Sequence, residues 1–365
     1  MAKRSRSSAW SKTFSRSLAR ITRHTLRLSR QAVSTALPRA PTVVAKALTV
    51  RRATAAPASR GDWSSGVVIG TTGARRFHLY RPPDLVPGEL LPLMVMLHGC
   101  GQDAQSFALS TRMNQLAARE RFLVLYPEQD RLAHARGCWN WYDTRSGRAY
   151  AEAALILKAV DRVSLRHPVD PARMAIAGLS AGGSMAALIA TQHPDRFQAV
   201  AMHSGIPPGS ADSTLSALGA MNGHRVSNNR QVAVLPLVAQ THCWPPLLVI
   251  HGRADTVVAP SNGRAAVNLW AQATGALACP TRELQRGKRY PVSVTEFKRQ
   301  GHLVGTLMEV SRLGHAWSGG AAQQAFSDGS GPDASRMVWA FAAKQFRAGG
   351  LERVPRVLRS RAVQR

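Results

Sequence analysis

Acidic residues are scarce in this chain: 20 Asp and Glu stand against 48 Lys and Arg in 365 residues, a formal charge of +28. Residues 1–61 hold fourteen Lys or Arg and no Asp or Glu, and the stretch from Lys344 to Arg365 has seven basic residues against Glu352 alone. The intervening 62–343 keeps only +8, so a mildly basic globular body is expected between two basic extensions. Long apolar runs are also missing. None approaches the roughly eighteen residues a membrane-spanning helix needs, and no apolar stretch of about seven residues follows the basic N-terminus, so no standard secretory signal is expected. Cysteine is sparse, with Cys100, Cys138, Cys243 and Cys279 and no CxxC spacing, which argues against a structural zinc site. The four are compatible with sequence-adjacent disulfides, Cys100–Cys138 and Cys243–Cys279, in an oxidising compartment, and equally with buried reduced thiols. Hydrophobic residues make up 45%, which excludes wholesale disorder.

What is present divides into parts. Trp10, Phe14, Leu18, Ile21, Thr25, Leu28 and Ala32 recur at helical spacing, with Arg16, Arg20, Arg23, Arg27 and Arg30 on the other face. This predicts a cationic amphipathic helix near 9–32, then an Ala/Pro/Thr-rich linker to residue 60. The folded domain is expected over 61–346 and a basic tail over 347–365. Within the domain, strands are expected at Phe77–Tyr80, Leu93–Leu97, Phe122–Tyr126, Met174–Ala177, Phe197–Met202, Leu247–Ile250, Val292–Phe297 and Gly305–Val310. Several are uninterrupted apolar runs, which suit strands covered on both faces. Helices are expected at Ala149–Arg166, from the turn at 178–182 to Gln192, and near Asn262–Ala273 and Ala334–Phe346. Strands alternating with helices predict an α/β fold, a mostly parallel sheet with helices on both faces. Residues 206–245 fit this rhythm poorly and read as an insertion over the site.

Gly178-Leu179-Ser180-Ala181-Gly182 is a G-x-S-x-G pentapeptide. Alone it is weak evidence, but it lies between an expected strand and an expected helix, where a nucleophile elbow belongs. A serine hydroxyl needs a base, and the base needs an orienting carboxylate. Asp255 follows the strand ending His251-Gly252, and His315 follows Gly305–Val310, so both should reach the rim where Ser180 opens. The order Ser180, Asp255, His315 suits this arrangement. His302 is the nearest rival to His315; Asp328 and Asp333 come too late in the chain. The oxyanion needs two N–H donors. The backbone of Ala181 supplies one, and Cys100, with Gly101 as fallback, the other.

His98-Gly99-Cys100, Gly137-Cys138-Trp139-Asn140-Trp141, the elbow, His251-Gly252-Arg253-Ala254-Asp255 and Gly314-His315-Ala316-Trp317-Ser318-Gly319-Gly320 resemble the poly(3-hydroxybutyrate) depolymerase-like esterases, which are themselves similar to feruloyl and acetylxylan esterases. The resemblance covers about 65–345. It implies an α/β-hydrolase fold, ester hydrolysis without cofactor or metal, a Ser180–Asp255–His315 triad, and an extracellular or periplasmic location, with a cytoplasmic granule-associated one as the alternative. Where the family usually has Thr-Gln after the first cysteine, this chain has Gly101-Gln102, which keeps the backbone role and removes a hydroxyl. Trp139, Asn140, Trp141 and Trp317 are either a substrate-binding wall or ordinary core residues.

The expected substrate is a hydroxyalkanoate polyester, its oligomers or a small ester, with feruloyl or acetyl esters as second choice. The rival class is a charge-driven binding protein. No nucleic-acid fold motif appears, so dedicated nucleic-acid binding is not expected; a polyester granule or anionic membrane surface suits residues 9–32 better.

Overall fold

Every position of Leu91-Pro92-Leu93-Met94-Val95-Met96-Leu97 is buried, as a strand wrapped on both faces requires. The computed structural model describes residues 61–224 and 244–352; the helix expected over 9–32, the linker, residues 225–243 of the expected insertion and the end of the tail lie outside them. The strands are β1 (Asp62–Gly70), β2 (Gly73–Arg81), β3 (Leu91–Leu97), β4 (Leu123–Pro127), β5 (Val169–Leu179), β6 (Ala199–His203), β7 (Leu247–Gly252), β8 (Leu277–Ala278), β9 (Arg282–Leu284), β10 (Val292–Arg299), β11 (His302–Val310), β12 (Trp317–Ser318) and β13 (Ser327–Asp328). The helices are α1 (Ala104–Thr111), α2 (Met113–Glu120), α3 (Arg148–Arg166), α4 (Ala181–Gln192), α5 (Thr214–Met221), α6 (Ser261–Thr274) and α7 (Ala334–Glu352).

The main sheet runs β1-β2-β4-β3-β5-β6-β7-β11-β10-β8, with β9 also paired to β10. From β4 through β3, β5, β6 and β7 to β11 every pairing is parallel. The flanking β1, β2 and β8 to β10 pair antiparallel. Parallel strands put all their C-terminal ends on one edge, so the loops after β3, β5, β6, β7 and β11 share a rim.

The alternating side chains of β3 sort the core into two layers. Leu93, Val95 and Leu97 join the cluster with residues of α3, α4 and α6, while Met94 and Met96 join the one with α1, α2 and α7. Helix α4 is buried around its whole circumference, which explains its small-residue, apolar composition.

The structure adds elements to the sequence expectation: strand β1, the short strands β8, β9, β12 and β13, and helices α1, α2 and α5. Helices α1 and α2 are eight residues each, separated by left-handed Arg112 at φ 55°, too short to display periodicity. Their signal is local: Asp103 Oδ1 accepts the Ser106 N–H at 2.7 Å while Ser106 Oγ accepts the Asp103 N–H at 3.0 Å, a capping box. The described part of the expected insertion packs into the core through Ile206, Ala211, Ala217 and Ala220. Helix α7 runs to Glu352, past the expected boundary at 346.

Candidate active site

Chain direction reverses sharply at Ser180. It sits between β5 and α4 at φ 56°, ψ −123°, a strained conformation for a residue with a Cβ. Close backbone packing enforces the turn. A Cβ on Gly178 would lie 2.3 Å from the carbonyl carbon of Gly182, and one on Gly182 would lie 2.1 Å from the Leu97 oxygen. The Ser180 N–H donates to the His203 carbonyl at 2.8 Å, and the residue itself is half-buried.

The loop after β7 carries Asp255, and the loop after β11 carries His315. The two are joined by backbone: Ala254 N–H donates to Leu313 O at 3.1 Å, and a Cβ on Gly252 would lie 2.1 Å from that same oxygen. Asp255 Oδ1 accepts the N–H groups of Val257 and Val258, both at 2.9 Å. Its Oδ2 accepts the Nδ1–H of His315 at 2.8 Å and has His251 Nε2 at 3.5 Å. Burial by itself pushes the Asp255 carboxyl upward, but the electrostatic attraction of His315 and the hydrogen bonds from His251 and His315 outweigh it and hold the group well below the usual carboxylate range. Asp255 is therefore an anion, and accepting Nδ1–H leaves the His315 Nε2 lone pair for a proton. The rival His302 lies exposed at the opposite, N-terminal end of β11. Asp328 and Asp333 accept local N–H groups from Ser330 and Arg336.

In the loop after β3, most backbone donors are spent. The Gly99 N–H donates to Gln102 Oε1 at 3.0 Å and the Gly101 N–H to Arg136 O at 2.8 Å, which removes Gly101 as a fallback. The Cys100 N–H has no acceptor among the described residues, and neither does the Ala181 N–H, which opens α4. A Cβ on Gly99 would stand 3.6 Å from the Ser180 Cβ, so this loop lies against the elbow. Cys100 and Cys138 form a disulfide, which rules out Cys100 as a thiol nucleophile. Cys279 is free among the described residues, and Cys243 lies outside them.

Of the two roles open to Trp139, Asn140, Trp141 and Trp317, substrate wall or core, burial favours the core. Trp139 is 0% exposed and Trp317 and Asn140 are 1% exposed. Each is held inside: Trp139 Nε1 donates to His98 O at 3.0 Å, Trp317 Nε1 to Ser335 Oγ at 3.1 Å, and Asn140 to both oxygens of buried Glu152. Trp141, 7% exposed, also belongs to the core. Burial of this kind makes them interior posts supporting the rim.

The sequence reading overlooked three histidines as site residues. His98 directly follows β3, His203 ends β6 and His251 lies at the end of β7, all buried. The available signal was a polar residue closing an apolar strand at the rim. His203 Nε2 accepts the Ser318 N–H at 3.1 Å, its ring stacks on Trp317, and its Nδ1 lies 3.2 Å from Ser204 Oγ. Burial, reinforced by His251 and His315, pushes the His203 imidazole down to about 3. Among the described residues no group of three or more His, Cys, Asp or Glu is arranged to hold a metal, and no helix is long and apolar enough to cross a membrane.

A family model described as Esterase PHB depolymerase matches residues 75–283, more than half of the chain. Poly(3-hydroxyalkanoate) depolymerase C of Paucimonas lemoignei is 32% identical over 177 residues, covering 47% of this chain and 42% of that protein. Feruloyl esterase B of Thermothelomyces thermophilus is 27% identical over 210 residues, 55% of this chain and 70% of that protein. The match thus spans less than half the length of the depolymerase. The solved acetyl xylan esterase from Aspergillus awamori superposes with a TM-score of 0.55 at 18% identity, over 69% of this chain and 94% of that one, a likeness of fold.

Proposed function

The chain belongs to the Esterase PHB depolymerase family, and on that premise we propose that it hydrolyses carboxylic esters through an acyl-enzyme on Ser180. The observation that carries the reading is the Asp255–His315 hydrogen bond at the rim where strained Ser180 opens. His315 Nε2 takes the Ser180 proton as the hydroxyl attacks the ester carbonyl, and anionic Asp255 stabilises the imidazolium that forms. The N–H groups of Cys100 and Ala181 receive the oxyanion; a single such donor typically contributes about 3 kcal/mol to the transition state. His315 then returns the proton to the leaving alcohol, and water activated by the same nitrogen clears the acyl group.

The substrate we assign is a short-chain 3-hydroxyalkanoate polyester or its oligomers, supported by the 32% identity to a poly(3-hydroxyalkanoate) depolymerase. Feruloyl esters are the second reading, favoured by the larger share of feruloyl esterase B that this chain matches. The Cys100–Cys138 disulfide supports an oxidising, extracellular or periplasmic setting. Residues 9–32, outside the described residues, are proposed to hold the enzyme at a granule or anionic membrane surface; deleting 1–60 should abolish co-sedimentation with granules or anionic vesicles and spare soluble-ester turnover.

The test is a panel of hydroxybutyrate trimer, polymer film and methyl ferulate, each with wild type and Ser180→Ala. Trimer hydrolysis lost in Ser180→Ala is the expected result. Equal rates for the two proteins would remove the serine mechanism, and turnover of methyl ferulate alone would replace the substrate.

A further inference from the structure

We propose that His98 is a positioning residue that sets the direction of the Cys100 N–H, and so prepares one half of the oxyanion site before substrate arrives. The inference rests on the ester-hydrolase reading above and deepens it.

The hydrogen-bond partners of His98 settle its tautomer. The Gln129 backbone N–H lies 3.1 Å from His98 Nε2, and a backbone N–H can only donate, so Nε2 accepts. The proton then resides on Nδ1, which lies 2.9 Å from the Gly99 carbonyl oxygen, a group that can only accept. The imidazole is fully buried, and burial pushes its pKa down, which suits the neutral ring this pattern demands.

The Gly99 carbonyl and the Cys100 N–H belong to the same peptide unit. In a planar trans peptide these two groups point in opposite directions. A donor that holds the carbonyl on one side therefore aims the N–H at the other. The Gly99 oxygen also receives the Gln102 N–H at 3.3 Å, and the Gly99 N–H is tied to Gln102 Oε1. Gly99 has no Cβ to oppose rotation of the unit, so the orientation depends on these bonds. Without the His98 donor, the peptide keeps one long bond to its oxygen and gains freedom to turn its N–H away from Ser180.

Gln129 relays the arrangement outward. Its backbone selects the tautomer, its Nε2 donates to Cys138 O at 3.0 Å, and its Oε1 accepts from buried Arg75. Cys138 is the disulfide partner of Cys100. Both ends of the oxyanion segment are thus referred to one buried polar network.

Two variants separate positioning from packing because each retains a different half of the imidazole. His98→Asn keeps a donor near the Nδ1 position and loses the acceptor for Gln129; His98→Gln keeps an acceptor near Nε2 and loses the Gly99 donor. Measured on a soluble p-nitrophenyl butyrate, His98→Gln should lower kcat about 100-fold with little change in KM, whereas His98→Asn should stay within roughly tenfold of wild type. Affinity for a phenylboronic acid, which mimics the tetrahedral adduct, should fall in the same order as kcat. Thermal stability should follow the reverse order, since only His98→Asn orphans the buried Gln129 N–H. Equal kcat in both folded variants, or a kcat order that tracks melting temperature, would overturn the inference while leaving the hydrolase reading standing. A wild type that turns over no ester would sink that reading and the inference together.

Discussion

Asp255 Oδ2 accepts the Nδ1–H of His315 at 2.8 Å although the two residues are 60 positions apart. The partners reach each other because β7 and β11 are parallel neighbours, in register from Leu247 opposite Gly305 to Gly252 opposite Val310. Their following loops therefore leave the sheet side by side. Asp255→Asn keeps the shape but turns the acceptor into an amide that favours the wrong imidazole tautomer. The expected result is a fall in kcat of about 10⁴ with unchanged folding, read from ester turnover beside far-UV circular dichroism. A loss below tenfold would separate Asp255 from the chemistry.

Two glycine substitutions should act in opposite directions. Gly182→Ala places a methyl 2.1 Å from the Leu97 carbonyl oxygen, where only backbone can yield. A loss of roughly 3 kcal/mol or more, or failure to fold, is expected. Gly219→Ala, inside α5 with nothing within 4 Å of the added carbon, should stabilise by about 0.5–1 kcal/mol. Urea unfolding of both variants checks the pair.

Removal of the Cys100–Cys138 bridge should cost stability and turnover together. The bridge closes a sequence separation of 38 residues, for which chain entropy predicts about 4 kcal/mol. Cys100→Ala with Cys138→Ala also releases the segment carrying the oxyanion donor, so kcat should fall even at temperatures where the protein stays folded. Unchanged kcat in the folded variant would confine the bridge to stability.

Acid should destabilise the protein through His203. Its folded value, about 3, lies below the ordinary 6.5, so between these pH values the unfolded chain holds a proton that the native state refuses. Stability is present in full above pH 6.5 and drains away as pH falls towards 3, by about 2 kcal/mol between pH 7 and 5. His203→Gln, which retains an acceptor for the Ser318 N–H, should flatten this limb of a urea-unfolding series. An unaltered slope would assign the acid sensitivity to other groups.

Legibility varied with the range of the interaction. The strands ending at Leu97 and Leu179 were readable because an apolar run is a local property of a strand buried on both faces. The elbow was readable because crowding against Leu97 and His98 leaves room only for hydrogen at position 182. The roles of Trp139, Asn140 and Trp317 were not. An aromatic or amide side chain suits a pocket wall or a core post equally, and the bonds to His98, Glu152 and Ser335 decide between them.

The sequence by itself determined the alternation of strands and helices and the order in which a hydroxyl, a carboxylate and an imidazole follow rim-facing strand ends, since periodicity and turn chemistry are written residue by residue. Only the tertiary structure decided which backbone N–H groups stay free, which histidines are buried and neutral, and which aromatics face inward. Each of those depends on a partner brought from a distant segment, and a hydrogen bond or a loss of solvent is a property of the pair.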